Sequence, residues 1–230
     1  MSRRCPVFFS HFSCSCTRGS RVWGFSFASA PLSSCPGPAS IALPAATGGP
    51  PSGSDLRALL LVARTVRDMP GRRSVGEAAL VRAGREIGPL LAARPGDATL
   101  HALAGERDLL MVQYRGFPGG MPWGKKAQAQ NDRALALDPR NPEARLAKGI
   151  ELYFKPWFVG GSVSKALVEF ERANALRPGD PRILSWIGIA RHRLGRPDSR
   201  RFLEAALKIC PESPFYRARA RTFDPRASHR

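Results

Sequence analysis

A short pattern of small, large and proline residues recurs four times along this chain and constrains its fold more than any other feature. In each copy, three residues separate the first position from the second, two separate the second from the third, and four more precede a proline. The copies are Ala83, Ile87, Leu90 and Pro95; Ala127, Asn131, Ala134 and Pro139; Ala166, Phe170, Ala173 and Pro178; and Ser199, Leu203, Ala206 and Pro211. Their prolines are 44, 39 and 33 residues apart, which indicates an internal repeat.

The segments around this pattern have the periodicity of helices. Leu56, Leu59, Leu60 and Ala63 begin a series of apolar residues at spacings of three and four, which is typical of a buried helix face. The chain has 16 glycines and 14 prolines after residue 54, and most of them fall between such segments, where they interrupt helices. Because no stretch alternates for long as a strand does, the sequence predicts an all-α fold.

Together these residues resemble the tetratricopeptide-repeat family, whose unit is a helix-turn-helix that ends in proline. Gly105, Gly149 and Gly188 precede three copies of the pattern, where the family places a small residue on its first helix. The resemblance implies a right-handed superhelical solenoid of about four antiparallel helix-turn-helix repeats over residues 55–221, with a capping helix near residues 213–221. Asn131 departs from the family pattern, in which a large apolar residue is usual.

The resemblance also implies a partner-binding groove, because the family holds peptides on a concave face formed mostly by the first helix of each unit. The matching positions here are Leu146, Ile150, Tyr153, Phe154, Arg182, Ile189, His192 and Arg193. Apolar side chains flanked by arginines suit an acidic-hydrophobic segment of another protein, held by apolar burial and charge-assisted hydrogen bonds. We therefore expect a protein-interaction scaffold.

Two insertions lengthen the middle units, at residues 115–124 and 155–164. Each contains proline, a Gly-Gly pair and aromatic residues between its first and second helix, and equivalent insertions stack on one edge of a solenoid. Their aromatic residues, namely Phe117, Trp123, Trp157 and Phe158, either form a rim that binds a partner or fold back over the helix ends. We favour folding back, and we favour the groove over the rim as the binding surface. Ser162 or Ser164 is the expected N-cap of the helix that follows.

The chain shows no arrangement of residues typical of catalysis. None of its 4 histidines stands four residues from another histidine or a cysteine, and no Gly-rich loop has the spacing of a phosphate-binding loop. We expect no enzymatic activity, no cofactor and no metal. No apolar run approaches the roughly 18 residues that a transmembrane helix needs.

The net charge of +18 supports an alternative function. Residues 181–230 carry 12 basic and 4 acidic side chains, an excess that attracts polyanions. A basic C-terminal end of this kind would suit nucleic acid or an anionic surface, although no basic run is interleaved with aromatic residues as in a nucleic-acid groove. Residues 222–230 are expected to form a basic tail.

Residues 1–54 differ in composition from the rest, since they contain 12 serines, 4 arginines and no acidic residue. Three interpretations of this segment are open. It is a targeting peptide, or it is a lipoprotein signal in which Leu32-Ser33-Ser34-Cys35 is a loose lipobox. In the third, it is a disordered extension or the result of a misplaced start codon. A processed leader would direct the protein to an organelle or to export, with a lipid anchor on Cys35 in the second case; otherwise the protein is cytoplasmic. We expect the leader to be dispensable for folding.

The cysteines give no metal site and no disulfide framework by their spacing. Cys5, Cys14, Cys16 and Cys35 all lie in the leader, and their separations match no common zinc arrangement. Cys210 is the only cysteine after residue 54, so we expect it to be a packed thiol near a helix end.

Overall fold

The computed structural model describes Cys35, residues 53–67 and residues 69–222. Most of the leader and the tail from residue 223 lie outside the described residues. The helices in the described part are α1 (Gly53–Val66), α2 (Arg73–Ala93), α3 (Ala98–Arg115), α4 (Met121–Leu137), α5 (Pro142–Phe154), α6 (Val163–Leu176), α7 (Pro181–Arg193), α8 (Ser199–Ile209) and α9 (Pro214–Thr222). A short 3-10 helix spans Trp157–Val159 between α5 and α6.

Side-chain caps start the helices where the proline-containing turns end. Asp97 accepts hydrogen bonds from the backbone N–H groups at the start of α3, and Asn141 and Asp180 do the same for α5 and α7. The Ser162 hydroxyl accepts a hydrogen bond of 3.3 Å from the backbone N–H of Lys165, which confirms the cap predicted for α6. These caps satisfy backbone donors that a helix start leaves unpaired.

Successive helices pack as pairs, α1 with α2, α3 with α4, α5 with α6 and α7 with α8. Each repeated residue before the proline is buried in the second helix of its pair, as the pattern predicts. A Cβ atom built on Gly188 would lie 2.7 Å from Leu203 Cγ, and one on Gly149 would overlap the ring of Phe170. Glycine on the first helix therefore lets the large residue of the second helix approach closely.

Asn131 occupies the position of the large residue in α4 and is fully buried. Its side-chain amide donates a 3.0 Å hydrogen bond to the Glu151 carboxylate of α5. Lys148 lies 2.9 Å from the other oxygen of this carboxylate. The departure from the repeat pattern thus replaces an apolar contact between neighbouring repeats with a buried polar network.

The loop in the first insertion is shorter than the sequence predicts. Residues 115–124 were expected to connect two helices, but Met121 already begins α4. Pro122 lies in the first turn of this helix, where proline lacks only a donor that has no intrahelical partner. The proline that reads as a helix breaker in the sequence therefore starts a helix.

Candidate functional site

The concave face of the solenoid is formed by the first helix of each pair. α3 packs against both α1 and α5, whereas the second helices make no comparable contacts with one another in the described part of the chain. Helices that crowd together lie on the inner side of a curved stack of repeats. Any groove on this molecule is therefore lined by α1, α3, α5 and α7.

Several predicted groove residues lie beneath this face and not on it. Leu146, Ile150 and Ile189 are 2–4% exposed and belong to a core that includes Phe170. They contact α6 and the neighbouring first helices because each first helix is packed on more than one side. These side chains therefore lie in the core of the solenoid, and their role as partner contacts stays a prediction.

Arg182 is likewise buried, in an ion-pair cluster centred on Glu143. Glu143 Oε1 lies 2.8 Å from Arg182 Nη2, 3.0 Å from Arg177 Nη1 and 3.3 Å from Arg57 Nε. Asp180 Oδ2 lies 3.0 Å from the same nitrogen of Arg182. Burial acts to raise the pKa of Glu143, but the surrounding guanidinium groups, Arg182 foremost, outweigh burial and lower the pKa to about 2. Arg182 thus links α7 to α5, and its role as a partner contact stays a prediction.

A second ion pair closes the middle of the concave face. Arg64 of α1 pairs with Glu106 of α3, and both side chains are buried. Burial and then the charge of Arg182 lower the pKa of Arg64 to about 10, so Arg64 remains cationic at neutral pH. The small cavity beside this pair is lined by Arg64, Arg67, Glu106, Leu109, Leu110, Gln113, Ile150, Trp186 and Arg219. Helices from both ends of the solenoid meet at this point, which leaves little room for a ligand.

The open part of the face lies where α5 and α7 end. Tyr153, Phe154 and Trp186 form a cluster of edge-to-face contacts with ring centroids 5.2–5.8 Å apart. The guanidinium carbon of Arg193 lies 5.1 Å from the Tyr153 ring, and that of Arg219 lies 5.1 Å from the Trp186 ring. Phe154 is 41% exposed and Arg193 is exposed, whereas Tyr153 and Arg219 are half-buried and Trp186 is buried, so Phe154 and Arg193 form the part that faces solvent. We call these five residues the aromatic–arginine patch.

The structure thus brings together three of the predicted groove residues and adds two. Tyr153, Phe154 and Arg193 lie in the patch, and His192 is exposed one residue away on α7. Trp186 and Arg219 were not predicted. The available signal for Trp186 was an indole on a first helix two residues before the repeat glycine Gly188. No sequence feature indicated that Arg219 belongs to the patch, because the sequence does not show that α9 returns to the concave face.

The aromatic residues of the two insertions differ in their exposure to solvent. Phe117, Trp157 and Phe158 are 71–89% exposed, so the expectation that they fold back over the helix ends is wrong for them. Trp123 is partly buried against the apolar core that α1, α2 and α3 form. The Arg107 guanidinium lies 4.5 Å and the Lys126 ammonium 4.7 Å from its ring. Trp123 therefore does fold back, and the other three remain available at the rim.

Comparison with known proteins supports the fold that the repeat pattern predicts. No protein-family profile and no curated protein sequence matches this chain. Among solved structures, the crystal structure of a thermophilic tetratricopeptide-repeat protein from Thermus thermophilus resembles it with a TM-score of 0.52. The match covers 74% of this chain and 81% of that chain, at 20% sequence identity. This chain has the tetratricopeptide-repeat fold.

The predicted fold class is thereby confirmed, with α9 at the position of the predicted capping helix. At this level of identity the likeness concerns the fold alone. A tetratricopeptide-repeat fold generally supports protein–protein interaction and is typically not catalytic. Among the described residues there is no group of three or more His, Cys, Asp or Glu side chains placed to hold a metal ion.

A disulfide ties the leader to the last pair of helices of this tetratricopeptide-repeat domain. Cys35 is bonded to Cys210, directly after α8, across 175 residues of sequence. Cys35 also packs against the small core that contains Leu184 and Tyr216. The expectation that Cys210 is a free packed thiol is therefore wrong, because the sequence alone does not show that residue 35 returns to this end of the solenoid.

None of the helices in the described part of the chain combines the length and the apolar composition that crossing a bilayer requires.

Proposed function

We propose that this protein is a non-enzymatic scaffold that holds an acidic-hydrophobic segment of a partner protein against the aromatic–arginine patch. The observation that carries the proposal is the pairing of exposed arginine with clustered aromatic rings at the open end of the concave face. Phe154 and Tyr153 offer apolar area to a partner, and Arg193 offers donors to a carboxylate. The basic excess of residues 181–230 adds long-range attraction for an acidic segment.

The arrangement of the patch favours binding with little reorganisation. Trp186 is fixed from below by Phe170, whose ring stacks on it at 5.7 Å, so the floor of the patch is rigid. Rigid aromatic anchors lose little conformational entropy when a partner binds, and they dominate the energy of many interfaces. A partner segment therefore needs only to supply complementary apolar and acidic groups.

A direct test uses the full chain and a fluorescent peptide that alternates acidic residues with Phe and Leu. Tyr153→Ala should weaken binding by about 2 kcal/mol, or roughly thirtyfold, because it removes an aromatic anchor and the partner of Arg193. Arg193→Glu should also weaken binding, by an amount that shrinks as salt rises. Arg133→Glu, on the exposed side of α4, is the charge-matched control. Equal affinity in all four proteins would contradict the proposal.

The three exposed rim residues Phe117, Trp157 and Phe158 are the alternative surface for the same kind of protein partner. Trp157→Ala distinguishes the two, since it leaves the patch intact. A peptide that loses affinity for Trp157→Ala and keeps it for Tyr153→Ala binds at the rim.

Two other functions remain candidates and have less support. Nucleic acid or an anionic surface would use the arginines of α9, but Arg219 lies over Trp186 and Phe215, and Arg217 pairs with Glu212. An exported, lipid-anchored assembly factor requires a thioether on Cys35, the same sulfur that the disulfide with Cys210 uses. The disulfide itself favours an oxidising compartment, and hence export, over the cytoplasm.

A further inference from the structure

The two insertions present exposed aromatic residues on one edge of the solenoid. Trp157 is 84% exposed, Phe158 71% and Phe117 89%, and Met121 and Val159 are also exposed. Large apolar side chains at this exposure stand out, because the other aromatic residues in the described part of the chain are mostly packed. The aromatic–arginine patch does not include them, so their exposure needs a separate explanation.

A hydrogen bond joins the two insertions. Lys155, which begins the second insertion, donates from its Nζ to Gln128 Oε1 at 2.9 Å. Gln128 lies one helical turn beyond Gly124, where the first insertion ends. The start of the second insertion therefore lies beside the helix that follows the first insertion, in the neighbouring repeat.

The charged side chains within the two insertions are all basic, and Lys155 lies 3.9 Å from the buried carboxylate of Glu151 in α5. Basic side chains in and beside the loops are Arg115, Lys125, Lys126, Lys155 and Lys165, and all but Lys155 are exposed. No acidic residue occurs between Asp108 and Asp132 or between Glu151 and Glu169. An edge with protruding aromatic rings, several cations and no surface carboxylate in its loops is complementary to an anionic, partly apolar partner.

We infer that this edge docks onto an anionic membrane surface, with Trp157, Phe158 and Phe117 inserted at the headgroup level and the lysines over the lipid phosphates. Aromatic side chains favour the membrane interface, and cations near an anionic leaflet each add attraction. A flat bilayer also suits tips that protrude singly, whereas a protein hot spot is usually a recessed pocket that encloses its partner. The docked solenoid would keep its concave face open to a protein partner.

Vesicle sedimentation of the full chain tests this inference. The protein should bind vesicles that contain phosphatidylglycerol and phosphatidylcholine, and it should bind far less to phosphatidylcholine alone. Lys125→Glu with Lys165→Glu should weaken binding by about fivefold or more for each lysine, since one lysine near an anionic surface contributes on the order of 1 kcal/mol. Arg85→Glu, on the exposed side of α2, is the matched charge control and should have a smaller effect.

The aromatic tips are tested separately from charge. Trp157→Ala with Phe158→Ala should reduce vesicle binding at least tenfold, whereas Val81→Ala, at an exposed valine of α2, should not. Trp157→Phe should keep binding but lose most of the blue shift of tryptophan emission that vesicles induce in the unmodified protein. Circular dichroism verifies that each variant is folded.

Three outcomes would overturn the inference. They are absence of vesicle binding by the unmodified chain, equal binding to neutral and anionic vesicles, and full binding by the variant without Trp157 and Phe158. The last result would assign adsorption to the basic surface in general. Loss of peptide binding in the rim variants, without vesicle binding in any protein, would assign the edge to a protein partner.

Discussion

At the scale of single residues, the close helix pairs depend on glycine at one repeated position. Gly149 faces Phe170, whose ring is fully buried and stacked against Trp186, so the ring has no space into which it can move. The same relation holds between Gly188 and Leu203. The sequence pattern predicts these pairs because the small and large residues recur at constant spacing.

Gly149→Ala should destabilise the protein by about 1–3 kcal/mol, because the added methyl group overlaps the Phe170 ring. Gly124→Ala is the matched control, since its Cβ would lie 3.9 Å from Val112 Cγ2 at an ordinary contact distance. The control should be neutral or stabilising by roughly 0.5–1 kcal/mol, because alanine is the better helix former. Chemical denaturation measures both. Equal effects would show that the pairs are not closely packed.

Glu143 gives a second prediction at this scale, through its lowered pKa. A pKa of about 2 in the folded protein, below the ordinary 4.5, makes the ionised carboxylate stabilising. This contribution is fully present above about pH 4.5 and is lost as the pH falls toward 2. Glu143→Gln should therefore lower Tm at pH 7 and show a smaller further drop between pH 7 and about pH 3 than the unmodified protein. An unchanged acid-induced drop would mean that Glu143 does not carry this dependence.

At the scale of elements, the sequence predicts the helices well and their environment less well. Helix limits follow from apolar spacing and from turns such as Arg177-Pro178-Gly179-Asp180, where Gly179 has a φ of 78° and Asp180 caps α7. These are local signals. The burial of Leu146 and Ile150 depends on how neighbouring helices pack around α5, which no local pattern encodes.

The disulfide is the feature of the fold that the sequence near either cysteine predicts least. Cys35 and Cys210 are 175 residues apart, and their pairing requires the leader to return to the end of α8. Neither the composition of the leader nor the helical pattern indicates this return. The leader is therefore not independent of the repeats, and a chain beginning at Asp55 lacks one covalent tie.

Peptide mapping without reduction should find the Cys35 peptide linked to the Cys210 peptide. Cys210→Ser should lower the free energy of unfolding by about 2–4 kcal/mol under oxidising conditions, since cross-linking a long loop restricts the unfolded chain. Cys5→Ser should leave stability unchanged. A Cys210→Ser protein as stable as the parent, or a Cys210 that labels as a free thiol, would contradict this pairing.

At the scale of the whole molecule, the solenoid closes the middle of its own concave face. The Glu143 cluster and the Arg64–Glu106 pair link α1 to α3 and α5, and Arg219 of α9 borders the same cavity. The fold class and the three patch residues Tyr153, Phe154 and Arg193 were predictable from the repeat. The closure was not, because it arises from contacts between helices far apart in the sequence.

The location of peptide binding tests the central claim that the open end of this face is the partner site. Benzoylphenylalanine placed at Phe154, at Trp157 or at Val81 reports contact with the acidic-hydrophobic peptide by photo-crosslinking to the full chain. All three positions are exposed, Phe154 and Val81 to the same degree and Trp157 more, so weaker access does not explain an absence of crosslinking from position 157 or 81. The account predicts strong crosslinking from position 154, suppressed by excess unlabelled peptide, and little from positions 157 and 81. Crosslinking from position 157 or 81 without any from position 154 would contradict it.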